Sequence, residues 1–455
     1  MSDFISLYTA FSGLTAAQAG INTSSHNVAN ASTIGYTRQR VDLASRMPYH
    51  HRFGTVGQGV DIANISRVRI DGLDTQVRRS ASAQGRLDVL ADLLAKTESV
   101  MGEPDAGVTS GLANLWTAFD ELTLDPPNAS ARQHVITTLG QLATNVRGVA
   151  EKWDIERQSA SNSLEAYVNR TNAMLHDIAQ LNRQILDASS LPGEPNDLLD
   201  RRDLVMDDLS NIAGVTVSIM DNGAARVSLD GLSLVSDTMV SPLSYDPATF
   251  QISHSSGANV AVGGELSGFQ SYLQTELPGF EAALNTFARE LADALNAQHA
   301  SGYAPDGSAG GNLLSYTVGQ EAASLLVAVS HHSEIAAAGS GSPVAEFDGM
   351  NAEALSALRN SLVADGGTLT IDDAMRNIVS FVGEMTAATI SGARSQAALT
   401  SAAENARTQA HAVSIDEEMV NLITYQRAYE AAARVMTAVD ESLDTLINRT
   451  GIVGR

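Results

Sequence analysis

The stretch FISLYTAFSGLTAAQAGINTSSHNV, residues 4–28, repeats large apolar side chains at alternating steps of three and four residues. The repeating positions are Phe4, Leu7, Phe11, Leu14, Ile21 and Val28, with Gln18 and Ser25 filling the two gaps. This spacing is that of the a and d positions of a helix that packs against a partner helix. Gly13 and Gly20 each weaken such a helix by about 1 kcal/mol relative to Ala. We therefore expect the segment to become ordered only against its partner.

The C-terminal end carries a matching pattern. Between residues 415 and 451 the same spacing holds Met419, Leu422, Tyr429, Met436 and Leu443, and Gly451 is placed to end the helix. The two ends together predict an assembly seam, within one subunit or between neighbours. In this seam Phe4, Leu7, Phe11 and Leu14 would be buried against Met419, Leu422, Tyr429 and Met436.

The composition limits the possible partners. The chain has 455 residues and a formal net charge of −24, which disfavours binding to nucleic-acid phosphates and to anionic membranes. No apolar run approaches the roughly 18 residues that a bilayer span needs, so we expect no membrane insertion. The charge is uneven, because residues 1–86 hold nine Arg and five Asp without Lys or Glu, a net of +4. This basic end could meet an acidic neighbour, or it could simply be a solvated surface.

Local patterns between the two ends predict helices on both sides of a β-rich region. Pro126 and Pro127 predict a helix end, and Asn128 offers an N-cap for the next helix. Alternating apolar residues over 215–235, separated by Asp-Asn-Gly and Asp-Gly, predict β-hairpins. A helix is expected over 268–299 and one apolar strand over 325–329.

The predicted fold class is α+β, mainly α. A long helical-bundle or coiled-coil domain is built from both halves of the chain and carries a small inserted β-rich domain, and the terminal helices are disordered in the free monomer. The predicted domains are an N-terminal assembly helix with an extended or hairpin segment over 1–71, a first helical part over 72–210, the β-rich insertion over 211–345, and the completing helical part over 346–455.

A search for chemistry yields no catalytic constellation. The chain has no Cys, which removes disulfides, thiolate metal sites and Cys nucleophiles. It also lacks the His-Glu-x-x-His, phosphate-loop and nucleophile-elbow motifs. The acidic run Asp197, Asp200, Asp203, Asp207 and Asp208 is interleaved with Arg201 and Arg202, so it is interpreted as a charged helix face rather than a cation site. We predict no enzyme activity, no cofactor and no metal.

The turn after the N-terminal helix resembles the N-terminal motif of bacterial flagellar axial proteins, the family of rod and hook subunits. The matching residues are Asn27, Asn30, Thr33, Gly35, Tyr36 and Arg38, with Ile34 in place of the usual Pro. We expect the two Asn side chains to cap the helix end and Gly35 to permit a tight reversal. Residues 416–429, which include Gln426 and Arg427, resemble the C-terminal segment of the same family.

The middle of the chain narrows the resemblance to the hook–filament junction subunits of that family. The residues that carry it lie in 179–185, in 264–268 and in 196–204, where they are Asn196, Asp197, Asp200, Arg202 and Asp203. The resemblance implies a structural subunit that joins hook to filament by helical self-assembly of its terminal segments. The partners that it implies are copies of the chain itself, the hook protein, a second hook–filament junction protein and a flagellar export chaperone. It implies an extracellular location at the hook tip, reached by type III export without a cleaved signal peptide.

Two other functions stay open at this point. A hook or distal-rod subunit would share both termini, although the helical middle argues against it. A secreted cell-wall hydrolase would need a clustered acid–base pair in residues 211–350, and no such pair is evident.

Overall fold

A computed structural model describes residues 2–51, 54–101, 107–190, 193–341, 347–445 and 447; the side chains of residues 2–4 and 51 lie outside this description. The predictions for the Phe4 side chain and for Gly451 therefore fall outside the described residues.

Helices dominate the described chain. Two of them are terminal, α1 (Ser2–Asn30) and α10 (Ile415–Asp444), and they pack along each other. The others form the body of the molecule: α2 (Asp71–Met101), α3 (Val108–Leu124), α4 (Ala129–Ala188), α5 (Asn196–Ala213), α6 (Gly264–Ser271), α7 (Leu277–Ala300), α8 (Met350–Ala357) and α9 (Ile371–His411). Because α2 packs along α9, the body is built from both halves of the chain. The predicted mainly-α fold is confirmed.

The longest helix, α4, begins where the sequence predicts. After Pro126 and Pro127, the Asn128 side chain accepts hydrogen bonds from the N–H groups of Ser130 (2.8 Å) and Ala131 (3.2 Å). At 1.5 Å per residue, the 60 residues of α4 extend over roughly 90 Å. The core that it shares with the other body helices is filled by large fully buried side chains, among them Trp116, Phe119, Trp153, Phe280 and Phe287.

The strands form small antiparallel sheets. Strands β1 (Gln39–Ser45) and β4 (Val60–Arg67) pair with each other, and the hairpin of β2 (Tyr49–His51) and β3 (Gly54–Val56) lies between them in sequence. A four-stranded sheet has the order β5 (Thr216–Ile219), β6 (Ala225–Leu229), β7 (Leu232–Ser236), β8 (Met239–Val240). Its tight turns use positive φ at Gly223, Asp230 and Gly231, so the predicted hairpins are confirmed. Two further pairs are β9 (Leu243–Asp246) with β10 (Gln251–His254) and β11 (Leu314–Ser315) with β12 (Leu326–Val327).

Two predicted boundaries were wrong. The helix expected from residue 268 begins at Gly264, and a wide π-turn over Tyr272–Glu276 interrupts it, where the Leu277 N–H donates to the carbonyl of Tyr272. Pro278, which has no N–H to donate, follows at once. The strand expected over 325–329 shortens to β12, because only Leu314 and Ser315 pair with it. The boundaries of the four domains stay predictions.

Candidate functional site

The two terminal helices meet through small side chains. In α1 a row of small or buried residues lies one position before Phe11, Leu14, Ile21 and Val28 and before the two polar gap positions, Gln18 and Ser25. The row is Ala10, Gly13, Ala17, Gly20, Ser24 and Asn27. A Cβ at Gly20 would lie 2.6 Å from the ring of Tyr425, and one at Gly13 would lie 3.8 Å from Cβ of Ala432. The glycines, which at the level of the sequence only weaken the helix, therefore allow α10 to approach closely.

The predicted seam residues lie on the flanks of this contact. Phe11 is 54% exposed and Met419 is 48% exposed, so their predicted burial within one subunit is not what the structure shows. Leu7, Leu14, Ile21, Val28, Leu422, Tyr429, Met436 and Leu443 are half-buried. The physical reason is that Gly and Ala bring the two helices close together, and the ring of Tyr425 already fills the space at Gly20. Further apolar residues are exposed on the same two helices, namely Tyr8, Val420, Ile423 and Val435. We call these exposed and half-buried apolar residues of α1 and α10 the outer stripe.

The segment from residue 39 to residue 67 also contacts α1, which the sequence analysis did not predict. The N–H of Val60 donates to Oγ of Ser12 (3.2 Å). Gly59 has φ +90°, and a Cβ there would lie 2.1 Å from the same oxygen. Arg46 lies over the ring of Tyr8 at 4.7 Å. Close backbone approach at Gly59 thus fixes the segment on the terminal helix.

The family turn after α1 is held by one buried amide. Asn27 donates from Nδ2 to the carbonyl of Gln39 (2.8 Å) and accepts at Oδ1 from the Gln39 N–H (2.9 Å) and the Tyr36 hydroxyl (2.7 Å). Its predicted role as a helix cap was wrong, because its side chain binds the strand across the turn instead. Asn30 does bind its own helix end, donating to the carbonyl of His26 (3.0 Å) and accepting from Thr33 (3.2 Å). Gly35 has φ +80°, as the predicted reversal requires.

The acidic run in α5 is a docking surface for the connector, by which we mean residues 36–70 between α1 and α2. Arg67 donates to Asp200 (2.8 Å) and Asp203 (2.7 Å), and Arg69 also binds Asp203. The N–H of Thr37 donates to Asp200 (3.0 Å). The run was interpreted as a charged helix face rather than a cation site, but the structure pairs it across the fold: Asp200 and Asp203 are buried and bind arginines more than 100 residues away in sequence.

The remaining motif residues of α5 fasten the same region. Asn196 donates to the carbonyl of Ile65 (2.7 Å), whereas the exposed Asp197 makes only longer contacts with Gln39 (3.4 Å) and His26 (3.6 Å). Arg202 is buried and donates from Nη1 to Oδ1 of Asn182 (3.0 Å) and to the carbonyl of Gly223 (2.8 Å), which ties α4 and the β5–β6 turn to α5. Burial lowers the pKa of Arg202 to about 10.

The start of α10 binds the other side of the connector. Arg38 donates from Nε to the buried Glu418 (2.7 Å) and pairs through Nη1 with Glu417 (3.1 Å). His411, the last residue of α9, accepts at its carbonyl from the N–H of Arg38 (3.1 Å). Gln426 and Arg427 of the C-terminal motif are exposed on α10.

Sequence reasoning missed Arg67, Arg69, His411 and Glu418, although one observation pointed to them. The basic end of the chain was expected to meet an acidic neighbour or to be solvated, and the acidic neighbour is the chain's own α5 and α10. Among the residues that the structure describes, no group of three His, Asp or Glu side chains could hold a metal ion. Within the same ranges, none of the helices combines the length and apolar composition that crossing a bilayer requires. What the site does is hold the two ends of the chain together and fasten them to the body.

Comparison with known families gives the class of protein first. Residues 7–37 match the profile described as flagella basal body rod protein, and residues 399–449 match the flagellar basal body rod FlgEFG protein C-terminal profile. These matches cover α1 with its turn, and the end of α9 with α10, which are the segments that pair in the structure. The fold and the site thus define a bacterial flagellar axial protein.

The middle of the chain and the full-length relatives define the family within that class. Residues 94–314 match the flagellar hook-associated protein FlgK helical domain. The chain is 33% identical to flagellar hook-associated protein 1 of Bacillus subtilis, with all of both chains covered, and 24% identical to that of Salmonella typhimurium, with 96% of this chain and 98% of the relative covered. The chain belongs to the family of flagellar hook-associated protein 1, FlgK.

A solved structure agrees on the fold. The flagellar hook junction protein FlgK from Burkholderia pseudomallei matches with a TM-score of 0.66 and 19% identity, over 75% of this chain and 100% of that chain. The alternative of a cell-wall hydrolase finds no support in these matches.

Proposed function

We propose that this chain is a structural subunit of the bacterial flagellum at the hook–filament junction, and that it joins hook to filament by helical self-assembly of its terminal helices. The observation that carries the proposal is the outer stripe. The two terminal helices contact each other through small residues, so their large apolar side chains remain available to neighbouring subunits.

The energetics favour such a contact. Burying one large apolar side chain contributes roughly 1.5–3 kcal/mol. Phe11, Ile423 and Val435 are about half exposed in the single chain, so each has area left to bury. Docking must also offset the entropy of ordering the ends. We infer that α1 and α10 form their pair as they dock, in coupled folding and binding.

The proposal has a residue-level test. Phe11→Ser combined with Ile423→Ser removes two members of the outer stripe without touching the Gly20–Tyr425 contact. We expect fewer hooks to carry filaments, counted by electron microscopy of cells that produce the variant. Leu124→Ser is the matched control, because Leu124 is exposed at the end of α3 on the body. Filaments as frequent with the double variant as with the control would contradict assembly through the outer stripe.

A coarser test removes whole segments. Deleting residues 1–30 or 415–455 separately should abolish filament attachment, since each deletion removes one helix of the terminal pair. Normal filaments with either deletion would refute the role of the terminal helices.

The partners and location that we infer follow the same proposal: copies of this chain, the hook protein, a second hook–filament junction protein and a flagellar export chaperone. The chain would act outside the cell at the hook tip, after type III export without a cleaved signal peptide, and without enzyme activity. A hook or distal-rod subunit is the second candidate, because both terminal matches are to rod proteins. Labelling the protein on isolated hooks that lack filament distinguishes the two, since only a junction subunit lies at the hook tip alone.

A further inference from the structure

His411 lies where the terminal pair meets the body, between the end of α9 and the start of α10. Its side chain accepts at Nε2 from the N–H of Ile70 (2.9 Å), the residue before α2, and its carbonyl accepts from the N–H of Arg38. The residue is 6% exposed. One buried residue at the C-terminal joint therefore holds both ends of the connector.

This arrangement requires a neutral imidazole. A protonated ring carries a hydrogen on Nε2 and cannot accept from the Ile70 N–H. The charged groups that face the ring are Asp74 of α2, Arg67 and Arg69 of the connector, and Arg407 of α9. Three guanidinium groups and one carboxylate disfavour a further positive charge. Burial, the largest cause, also lowers the pKa of His411, and only Asp74 opposes it.

We propose that His411 is a pH-sensitive latch: the neutral ring fastens the Ile70 end of the connector to the end of α9, and protonation of the ring releases that end. This release would loosen the joint between the terminal pair and the body, while the Arg67 and Arg69 contacts with Asp203 and the α2–α9 packing persist. The latch itself does not depend on the proposed function; only its consequence for assembly does.

The pH window follows from the direction of the shift. The ordinary value for His is 6.5, and the pKa in the folded chain lies below it. Since the unfolded chain then binds the proton more readily, the latch contributes fully to stability above about pH 6.5. Its contribution is lost as the pH falls from there through the folded pKa.

Hydrogen exchange of the full-length chain tests the latch directly, because the donor to the ring is the backbone N–H of Ile70. Between pH 7.5 and pH 5.5, after correction for the intrinsic exchange rate, we expect protection of peptides that contain Ile70 to fall roughly tenfold. Peptides from the α2–α9 contact should keep their protection. Unchanged protection at Ile70 would overturn the proposal, whatever the variants do.

Two variants separate His411 from other acid effects. In His411→Gln a side-chain oxygen can still accept from the Ile70 N–H and does not titrate, so we expect the pH dependence of exchange at Ile70 to disappear. His299→Gln is the matched control. His299 is also buried and accepts at Nε2 from a backbone N–H, that of Ala336 (2.8 Å), but it lies at the end of α7. A loss of Ile70 protection at pH 5.5 that persists in His411→Gln, or that disappears in His299→Gln, would overturn the proposal. Because filament attachment is measured separately, failure of the latch leaves the proposed junction role testable.

Discussion

At the scale of single residues, the joint depends on side chains that satisfy groups of distant segments. The Asn27 side-chain amide binds the N–H and the carbonyl of Gln39, and so makes the two hydrogen bonds that a neighbouring strand would otherwise make. Asp203 accepts from Arg67 and Arg69 and lies 3.6 Å from Arg78. Such groups are costly to replace, because each partner left behind stays buried without its counterpart.

Asp203→Asn tests this ion-pair network. The change removes the negative charge among three largely buried guanidinium groups, so we expect the free energy of unfolding in urea at pH 7 to fall by about 3 kcal/mol. Asp197→Asn is the matched control on the same helix. The Asp197 side chain is 76% exposed, and its loss should change the free energy of unfolding by less than about 0.5 kcal/mol. Equal losses for the two variants would show that α5 does not dock the connector through Asp203.

At the scale of elements, the terminal pair shows how small residues set the distance between helices. A glycine in the middle of a helix lowers its intrinsic stability, yet Gly20 allows the ring of Tyr425 to lie against the α1 backbone. Apart from Tyr425, the large side chains of the predicted seam lie on the flanks as a result. The same contact that pairs the ends therefore creates the outer stripe.

Two glycine variants should have opposite effects on the terminal pair. In Gly20→Ala the new Cβ meets Cγ and Cδ1 of Tyr425 at 2.6 Å, and Cγ can move away only if the whole ring rotates about χ1 or the backbone shifts. Overpacking of this kind costs about 1–3 kcal/mol, so we expect fewer hooks to carry filaments. In Gly13→Ala the new Cβ makes ordinary contact with Ala432, and helix propensity improves by about 1 kcal/mol. Filament attachment should then be unchanged or more frequent, and a loss as large as that of Gly20→Ala would argue against the small-residue contact.

At the scale of the whole molecule, the chain is a long helical body with two ends joined to it by one connector. The body has a continuous apolar core that includes residues of α2, α3, α4, α5, α7 and α9. In α10, by contrast, Glu418 is the one buried residue among those described. Stability is therefore concentrated in the body.

This distribution predicts how the free chain exchanges hydrogen. In purified monomer, α1 and α10 should exchange their amide hydrogens much faster than α2 to α9, because few apolar side chains hold them. Docking onto isolated hooks should slow exchange in both terminal helices. Mass spectrometry of the free and docked chain measures this, and terminal helices as protected as the body in the monomer would contradict coupled folding and docking.

Much of the architecture is determined by local sequence. Steps of three and four residues predict both terminal helices, Pro126 and Asn128 predict the start of α4, and the Asp-Gly turn predicts a hairpin. These predictions succeeded because each depends on contacts or backbone preferences within a few residues. The family motifs likewise identify the class of protein, since they lie in continuous segments.

Tertiary structure alone decided which faces and charges meet. The helix pattern gives the positions of the large apolar side chains. The α1 residues that contact α10 lie one position earlier along the chain, because close approach of two backbones favours the smallest side chains. In sequence the acidic run of α5 indicates only a charged helix face, because its arginine partners come from residues 67–78 and from Arg407 of α9. His411 has no distinguishing neighbours in sequence, and its role arises from a backbone N–H that folding brings to it from 341 residues away. The sequence by itself thus determined that two helical ends would pair, and the folded chain determined through which atoms they do so.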